Sequence, residues 1–127
     1  MEKIRVTTEK AFVSKSPLTQ ALKVGSQVFI SGQVPVDSAT MTVVSEDFET
    51  QARHVLNSVK AIVAAAGGTL ENVVKTTVFL TDMSRFQQMN EIYKQYFTGI
   101  PPARTCIGVK ELPRKSQIEI EAIAILD

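Results

Sequence analysis

Cysteine is nearly missing from this chain: its 127 residues include one, Cys106. A single thiol closes no internal disulfide, so a reducing compartment, the cytoplasm, is expected rather than secretion. Histidine also occurs once, at His54, and no ligand-like spacing surrounds either residue, so no metal is expected. Long apolar runs are absent. The longest, AIVAAA at residues 61–66, is far too short to span a bilayer. The N-terminal MEKIRVTTEKAF has no apolar segment and is not rich in Arg and Ser, so no signal or transit peptide is read. Charge of one sign is lacking too. Fourteen Lys and Arg against 13 Asp and Glu leave a formal +1, which gives no broad pull toward nucleic acid or anionic membrane.

What is present is a domain-sized chain, 44% hydrophobic, read as a single domain over 1–127. Residues 20–34 read as a hairpin, with Gly25-Ser26 as a two-residue turn. Residues 46–66 read as a helix. Phe48, Ala52, Val55, Val59, Ile62, Val63 and Ala66 form its apolar stripe, with Ser45 as N-cap and Gly67-Gly68 as its end. NVVKTTVFLTD, 72–82, is β-branched and aromatic and reads as a strand. Ser84 and Gln87 fit a capping box opening a helix over 84–97, which Pro101-Pro102 cannot continue. ARTCIGV and QIEIEAIAI read as a final hairpin joined by KELPRKS, and a short strand is expected near Ile4–Val6. About six strands and two helices suit an α+β fold, one sheet with both helices on one face.

Side-chain alternation assigns faces. Val74, Val78 and Leu80 point one way, with Val73, Thr77 and Phe79 opposite. In the last strand Ile118, Ile120, Ala122, Ala124 and Leu126 oppose Glu119, Glu121, Ile123 and Ile125. The second face is too apolar to be left to water, so another subunit is expected to cover it. In PPARTCIGVKELP, Ala103, Thr105, Ile107 and Val109 resemble a core face, and Arg104, Cys106 and Gly108 share the other. A half-dry guanidinium needs an anion. Pattern alone leaves two candidates open: Glu119 or Glu121 in a structural ion pair, or a ligand carboxylate gripped by the guanidinium fork.

PPARTCIGVKELPRKSQIEIEAIA resembles the C-terminal signature of the RidA/YjgF family. ISGQVPVD, NVVKTTVFLTDM, FQQMNEIYKQYF and QARHVLNSVKAIVAAAG are similar to that family as well, in the same order. The resemblance implies a chorismate-mutase-like (ferredoxin-like) α+β fold and a homotrimeric barrel assembly with sites in the clefts between subunits. It implies 2-iminobutanoate/2-iminopropanoate deaminase activity, the hydrolysis of reactive 2-enamine and 2-imine acids to 2-keto acids and ammonia, with no cofactor. By the same resemblance Arg104 binds the substrate carboxylate, the Cys106 backbone carbonyl lies near the substrate nitrogen, and Glu119 positions or activates water. Ser31 and Gly32 line the cleft, and Asn90 is a polar cleft residue whose plainer reading is helix surface. Leu18 departs from the pattern, standing where many members have Tyr, and so lacks a hydroxyl to orient water or substrate.

Two alternatives stand beside that reading: a non-catalytic trimeric module binding small carboxylates or a protein partner, and, ranked lower, RNA cleavage or translation inhibition. The Cys106 thiol is not read as a nucleophile, because no triad surrounds it. His54 is expected on the surface. Lys110, Arg114 and Lys115 read as a solvated loop tip, with a gate or anion-steering element as the sharper alternative.

Overall fold

The computed structural model describes residues 1–127. Its strands are β1 (Ile4–Val6), β2 (Ala21–Val24), β3 (Gln27–Gln33), β4 (Val36–Asp37), β5 (Thr42–Val43), β6 (Val73–Leu80), β7 (Ala103–Gly108) and β8 (Ile118–Ile125). The helices are α1 (Phe48–Ala66) and α2 (Phe86–Tyr96). Six strands form one mixed sheet in the order β1-β2-β3-β8-β6-β7, and β4 and β5 form a separate short pair. The β2–β3 hairpin turns where expected, with Gly25 at φ 60°. No helix is long and apolar enough to cross a membrane.

The last two strands are not a hairpin. β8 is inserted between β3 and β6, antiparallel to both, while β7 pairs with β6 in parallel and forms the sheet edge. A parallel pair needs a crossover, and α2 supplies it between β6 and β7. The Glu119 strand therefore does not adjoin the Arg104 strand.

Both helices cover one face of the sheet. Every residue of the predicted α1 stripe is buried, together with Leu56, against Val28, Ile30, Val78, Leu80, Ile118, Ile120, Ala122 and Ala124. Fully burying one such side chain stabilises by roughly 1.5–3 kcal/mol. The last strand alternates as predicted: Ile118 to Ala124 at even positions are buried, and Glu119, Glu121, Ile123 and Ile125 lie on the uncovered face. On that face Phe29, Ile107 and Ile125 are exposed.

Four local expectations are corrected. In β6 the register against β8 shifts between Val73 and Lys75, so the bulge makes Val73 buried with Val78 and Leu80 and leaves Val74 exposed. Asp47, not Ser45, caps α1: its Oδ2 accepts from the Thr50 amide at 3.0 Å, while Ser45 Oγ accepts from the Asp47 amide one step outside. The Ser84–Gln87 box does not form. Asp82 accepts from both the amide and hydroxyl of Ser84, at 2.9 and 2.7 Å, in a 3₁₀ turn over Met83–Arg85, and α2 starts at Phe86 without a side-chain cap. His54 is half-buried; its Nδ1 is enclosed without a partner, and burial pushes its pKa down against the smaller pull of Asp37.

Candidate functional site

The predicted site residues fall into two groups on opposite faces of the sheet. The first is built around Glu119. β3 carries a bulge between Ile30, which pairs Ala122, and Gln33, which pairs Ile120, so Ser31 and Gly32 share space that one residue would otherwise fill. The Glu119 side chain folds across Gly32. A Cβ on Gly32 would overlap Glu119 Oε2 and lie 2.9 Å from its Cδ. Burial raises the Glu119 carboxyl above the usual carboxylate range, and the nearby Glu121 charge adds to the effect. A carboxylate so placed holds a proton more readily than an exposed one and suits general-base work nearer neutral pH.

Ser31 is fixed rather than free. Its Oγ donates to the Thr19 carbonyl at 2.6 Å and its amide to the Gln20 carbonyl at 2.9 Å. Phe12, Leu18, Ser31, Gly32, Arg114 and Glu119 line one cavity of about 550 Å³. Leu18 stands half exposed there, so the position contributes an apolar wall and no hydroxyl.

Two glutamines that sequence reasoning passed over hold this cavity together. Gln20, buried, accepts from the Thr8 amide at 2.7 Å and donates to the carbonyls of Thr8 and Phe12, each at 3.0 Å. It pins the loop that carries Phe12. Gln33 Nε2 donates to the Ser31 carbonyl at 2.8 Å, while its Oε1 is buried with no partner. The Gln20 contacts span 8 to 12 residues, which is why spacing did not reveal them.

The second group surrounds Arg104 on the helix side. β7 pairs Thr105 with Thr77 and Ile107 with Phe79 on the uncovered face, so Arg104 and Cys106 face α2 together with Thr76, Val78 and Leu80. This reverses the predicted faces of ARTCIGV: Ala103, Thr105 and Ile107 are exposed, and Lys75 Nζ donates to Thr105 Oγ1 at 2.8 Å. The Arg104 guanidinium carbon lies 4.9 Å from the Tyr93 ring centroid and 5.5 Å from that of Phe86, and Nη1 is 3.9 Å from Met89 Sδ. Such ring faces attract a cation without neutralising it. The chain's ion pairs are Arg53–Glu49 and Lys94–Glu91, so Arg104 has no carboxylate partner. The predicted Arg–Glu pair is not made within one chain, because Glu119 and Glu121 project from the other face.

Asn90 shares the helical face of Phe86, Met89 and Tyr93 by its spacing, and its Oδ1 is buried without a partner. The Cys106 thiol is pushed up by burial, with Arg104 pulling the other way, which disfavours a thiolate. Its backbone is better placed than its sulfur. The Val109 amide bonds the Leu80 carbonyl at 2.8 Å, so alternation turns the amide and carbonyl of Cys106 away from β6 to the open sheet edge. No three His, Cys, Asp or Glu side chains come together as a metal-ligand set.

A family model described as Endoribonuclease L-PSP matches residues 8–126, nearly the whole chain. The chain belongs to this family. Relatives of this L-PSP family member include the 2-iminobutanoate/2-iminopropanoate deaminase of Salmonella typhimurium, 46% identical over 123 residues, covering 94% of this chain and 95% of that one. A RutC family protein of Pyrococcus abyssi is 44% identical over 124 residues, covering 98% of each chain. Among solved structures, that of E. coli TdcF with bound serine superposes with a TM-score of 0.93 at 41% identity, covering 98% of this chain and 100% of that one. The α+β architecture, two helices on one face of a mixed sheet, is thus that of the L-PSP family. Within this family member the two clusters lie on opposite sides of one sheet.

Proposed function

We propose that this family member hydrolyses 2-enamine and 2-imine acids, such as 2-aminoacrylate and 2-iminobutanoate, to 2-keto acids and ammonia in the cytoplasm. The working unit is a homotrimer of the whole chain, with each site shared by two subunits. Arg104, Cys106 and Asn90 come from one subunit, and Glu119, Ser31, Gly32 and Leu18 from its neighbour. The observation that carries this reading is the separation of Arg104 from Glu119 by the sheet, with Arg104 left without an anion and Glu119 held partly dry. A half-buried guanidinium without a partner is a binding group awaiting one. The exposed Phe29, Ile107 and Ile125 supply apolar area for the subunit contact.

The chemistry follows from the groups. Arg104 takes the substrate carboxylate in two parallel hydrogen bonds and fixes the imine carbon in space. Glu119 accepts a proton from water as its oxygen bonds to that carbon. The outward-facing Cys106 carbonyl accepts from the protonated nitrogen. Glu119 returns its proton to the nitrogen, the carbon–nitrogen bond breaks as the new hydroxyl gives up its remaining proton to become the carbonyl, and ammonia leaves behind a keto acid. Water is the only co-substrate.

The test is a coupled assay in which a threonine or serine dehydratase makes the imine and keto acid appearance is timed. Arg104→Lys keeps the charge and loses the fork. We expect nearly complete loss of activity with the fold retained, since truncating a desolvated charged contact costs on the order of 2–5 kcal/mol. Near-normal turnover by that variant sinks the mechanism. A second reading, a carboxylate-binding module with little catalysis, is favoured by Leu18, and predicts 2-keto acid binding without acceleration. RNA cleavage, the activity in the family description, predicts salt-sensitive RNA binding, for which the +1 net charge supplies little drive.

A further inference from the structure

The three non-glycine residues with left-handed backbone are Met41 (φ 59°), Arg114 (φ 55°) and Lys115 (φ 60°). Two of them, Met41 and Arg114, line the Glu119 cavity, and Lys115 follows directly. Sterics at Cβ disfavour this conformation for L-residues, and such strain gathers at binding sites. Arg114 and Lys115 are the two central residues of a turn closed by the Ser116 amide donating to the Pro113 carbonyl at 3.1 Å, positions usually filled by Asn and Gly. The turn immediately precedes β8, so it is rooted beside the strand that carries Glu119.

Arg114 makes no ion pair and its guanidinium makes no hydrogen bond, although Glu119 and Glu121 line the same cavity. Lys15, also on the lining, is unpaired as well. The cavity, about 550 Å³ in the single chain, exceeds what a three-carbon imine fills. Resting on the deaminase reading, we infer that Arg114 grips a second carboxylate and that the site takes the imines of acidic amino acids, the 2-imino dicarboxylates. In that arrangement the first carboxylate is held by Arg104 of the neighbouring subunit and the imine carbon sits at Glu119. The intervening methylenes lie along Phe12 and Leu18. A second carboxylate placed near Glu121 requires an offsetting cation, and the planar fork of Arg114 matches a carboxylate in two bonds. The reaction is otherwise the same: water oxygen bonds to the imine carbon, the carbon–nitrogen bond breaks, and nitrogen departs as ammonia carrying the protons released by water.

The experiment compares two imines on the full chain: 2-iminobutanoate from threonine dehydratase and 2-iminoglutarate from a glutamate oxidase. Arg114→Asn removes the guanidinium while leaving a residue that tolerates left-handed backbone, and thermal unfolding checks that the turn survives. The wild type should hydrolyse 2-iminoglutarate. Arg114→Asn should lower the ratio of kcat/KM for the dicarboxylate to that for 2-iminobutanoate by about tenfold or more, as loss of a charge-assisted hydrogen bond implies. Calorimetry should show a matching loss of 2-oxoglutarate binding relative to 2-oxobutanoate. Turnover of 2-iminobutanoate alone, or a ratio that Arg114→Asn leaves unchanged, overturns the inference and spares the deaminase reading. Turnover of neither imine overturns that reading and the inference with it.

Discussion

Replacing Gly32 with alanine tests the seat of Glu119. A Cβ built on Gly32 overlaps Glu119 Oε2 and lies 2.9 Å from Cδ and 3.2 Å from Cγ. Carbon atoms do not approach that closely, so one group must move. The obstacle is the far end of a flexible side chain, and Gly32 is not in left-handed backbone, so the main chain has no reason to yield. Glu119 must swing away from its seat by about 1 Å or more, a misplacement that lowers turnover by on the order of 100-fold. Stability should hardly follow. Alanine at a compatible position stabilises by about 0.4–1 kcal/mol through the unfolded chain, which offsets the strain of a displaced carboxylate. A net change within about 1 kcal/mol moves Tm by no more than about 4–5 °C in a domain of this size. The dehydratase-coupled assay and a thermal melt on the same preparation read both quantities. Turnover within about threefold of wild type would show that the carboxylate's seat is irrelevant, which the general-base assignment cannot survive. A collapse in Tm would refute the physical argument from the other side, by showing that backbone and not the side chain gives way. Adding Gly32→Ala to Glu119→Gln should cost little more than Glu119→Gln alone, because both act on one group.

Three further outcomes follow from the same structure. Burial raises the Glu119 carboxyl, so the acid limb of kcat/KM should lie above the ordinary carboxylate range. For stability the sign is this: the folded chain holds that proton more tightly than the unfolded chain. The contribution is therefore full below the unfolded pKa and is lost as pH rises through the raised folded value. Glu119→Gln should flatten that fall in denaturant unfolding measured across pH, and an unchanged slope would contradict the shift. Tyr93 Oη and Thr76 Oγ1 form a buried hydrogen bond of 2.7 Å. Tyr93→Phe keeps the ring against Arg104 but strands the Thr76 hydroxyl, and should destabilise by about 1–3 kcal/mol in denaturant titration. A loss below about 0.5 kcal/mol would mean that the hydroxyl finds another partner.

The parts of the fold legible in the chain were those that repeat locally. The α1 stripe from Phe48 to Ala66 and the alternation from Ile118 to Ile125 are burial patterns with one period each, and both came out as read. Strand neighbours are not local. Nothing in ARTCIGV says that it pairs in parallel with β6 through α2, and the nearness of QIEIEAIAI in sequence suggested a hairpin that β6 prevents. Parity failed at Val74 because one bulged residue inverts every assignment before it. In β7 the two faces were separated correctly but their roles were exchanged, since Ala, Thr and Ile look more like core than Arg and Cys do. The aromatic platform of Tyr93 and Phe86 makes a helix-facing arginine tolerable, and it belongs to another element. Of the candidate site, Ser31, Gly32, Leu18 and Glu119 do line one cavity, whereas Arg104, Cys106 and Asn90 do not join it in a single chain. Arg104 stood out from the pattern of its own strand, the other roles came from resemblance, and Gln20 and Gln33 from the structure alone.

The sheet that separates Arg104 from Glu119 has a genetic consequence. If each reaction centre borrows one residue from either side of a subunit boundary, a chain carries two half-sites that serve different partners. A lesion in one half leaves the other serviceable. Two chains, one damaged at Arg104 and one at Glu119, are each inactive when pure, yet co-assembled they rebuild some sites in which the intact halves meet. Conversely, a chain damaged in both halves spoils sites on both of its flanks when it joins sound neighbours. Activity in a mixed population is then a property of who sits beside whom, and two null alleles need not add up to a null organism.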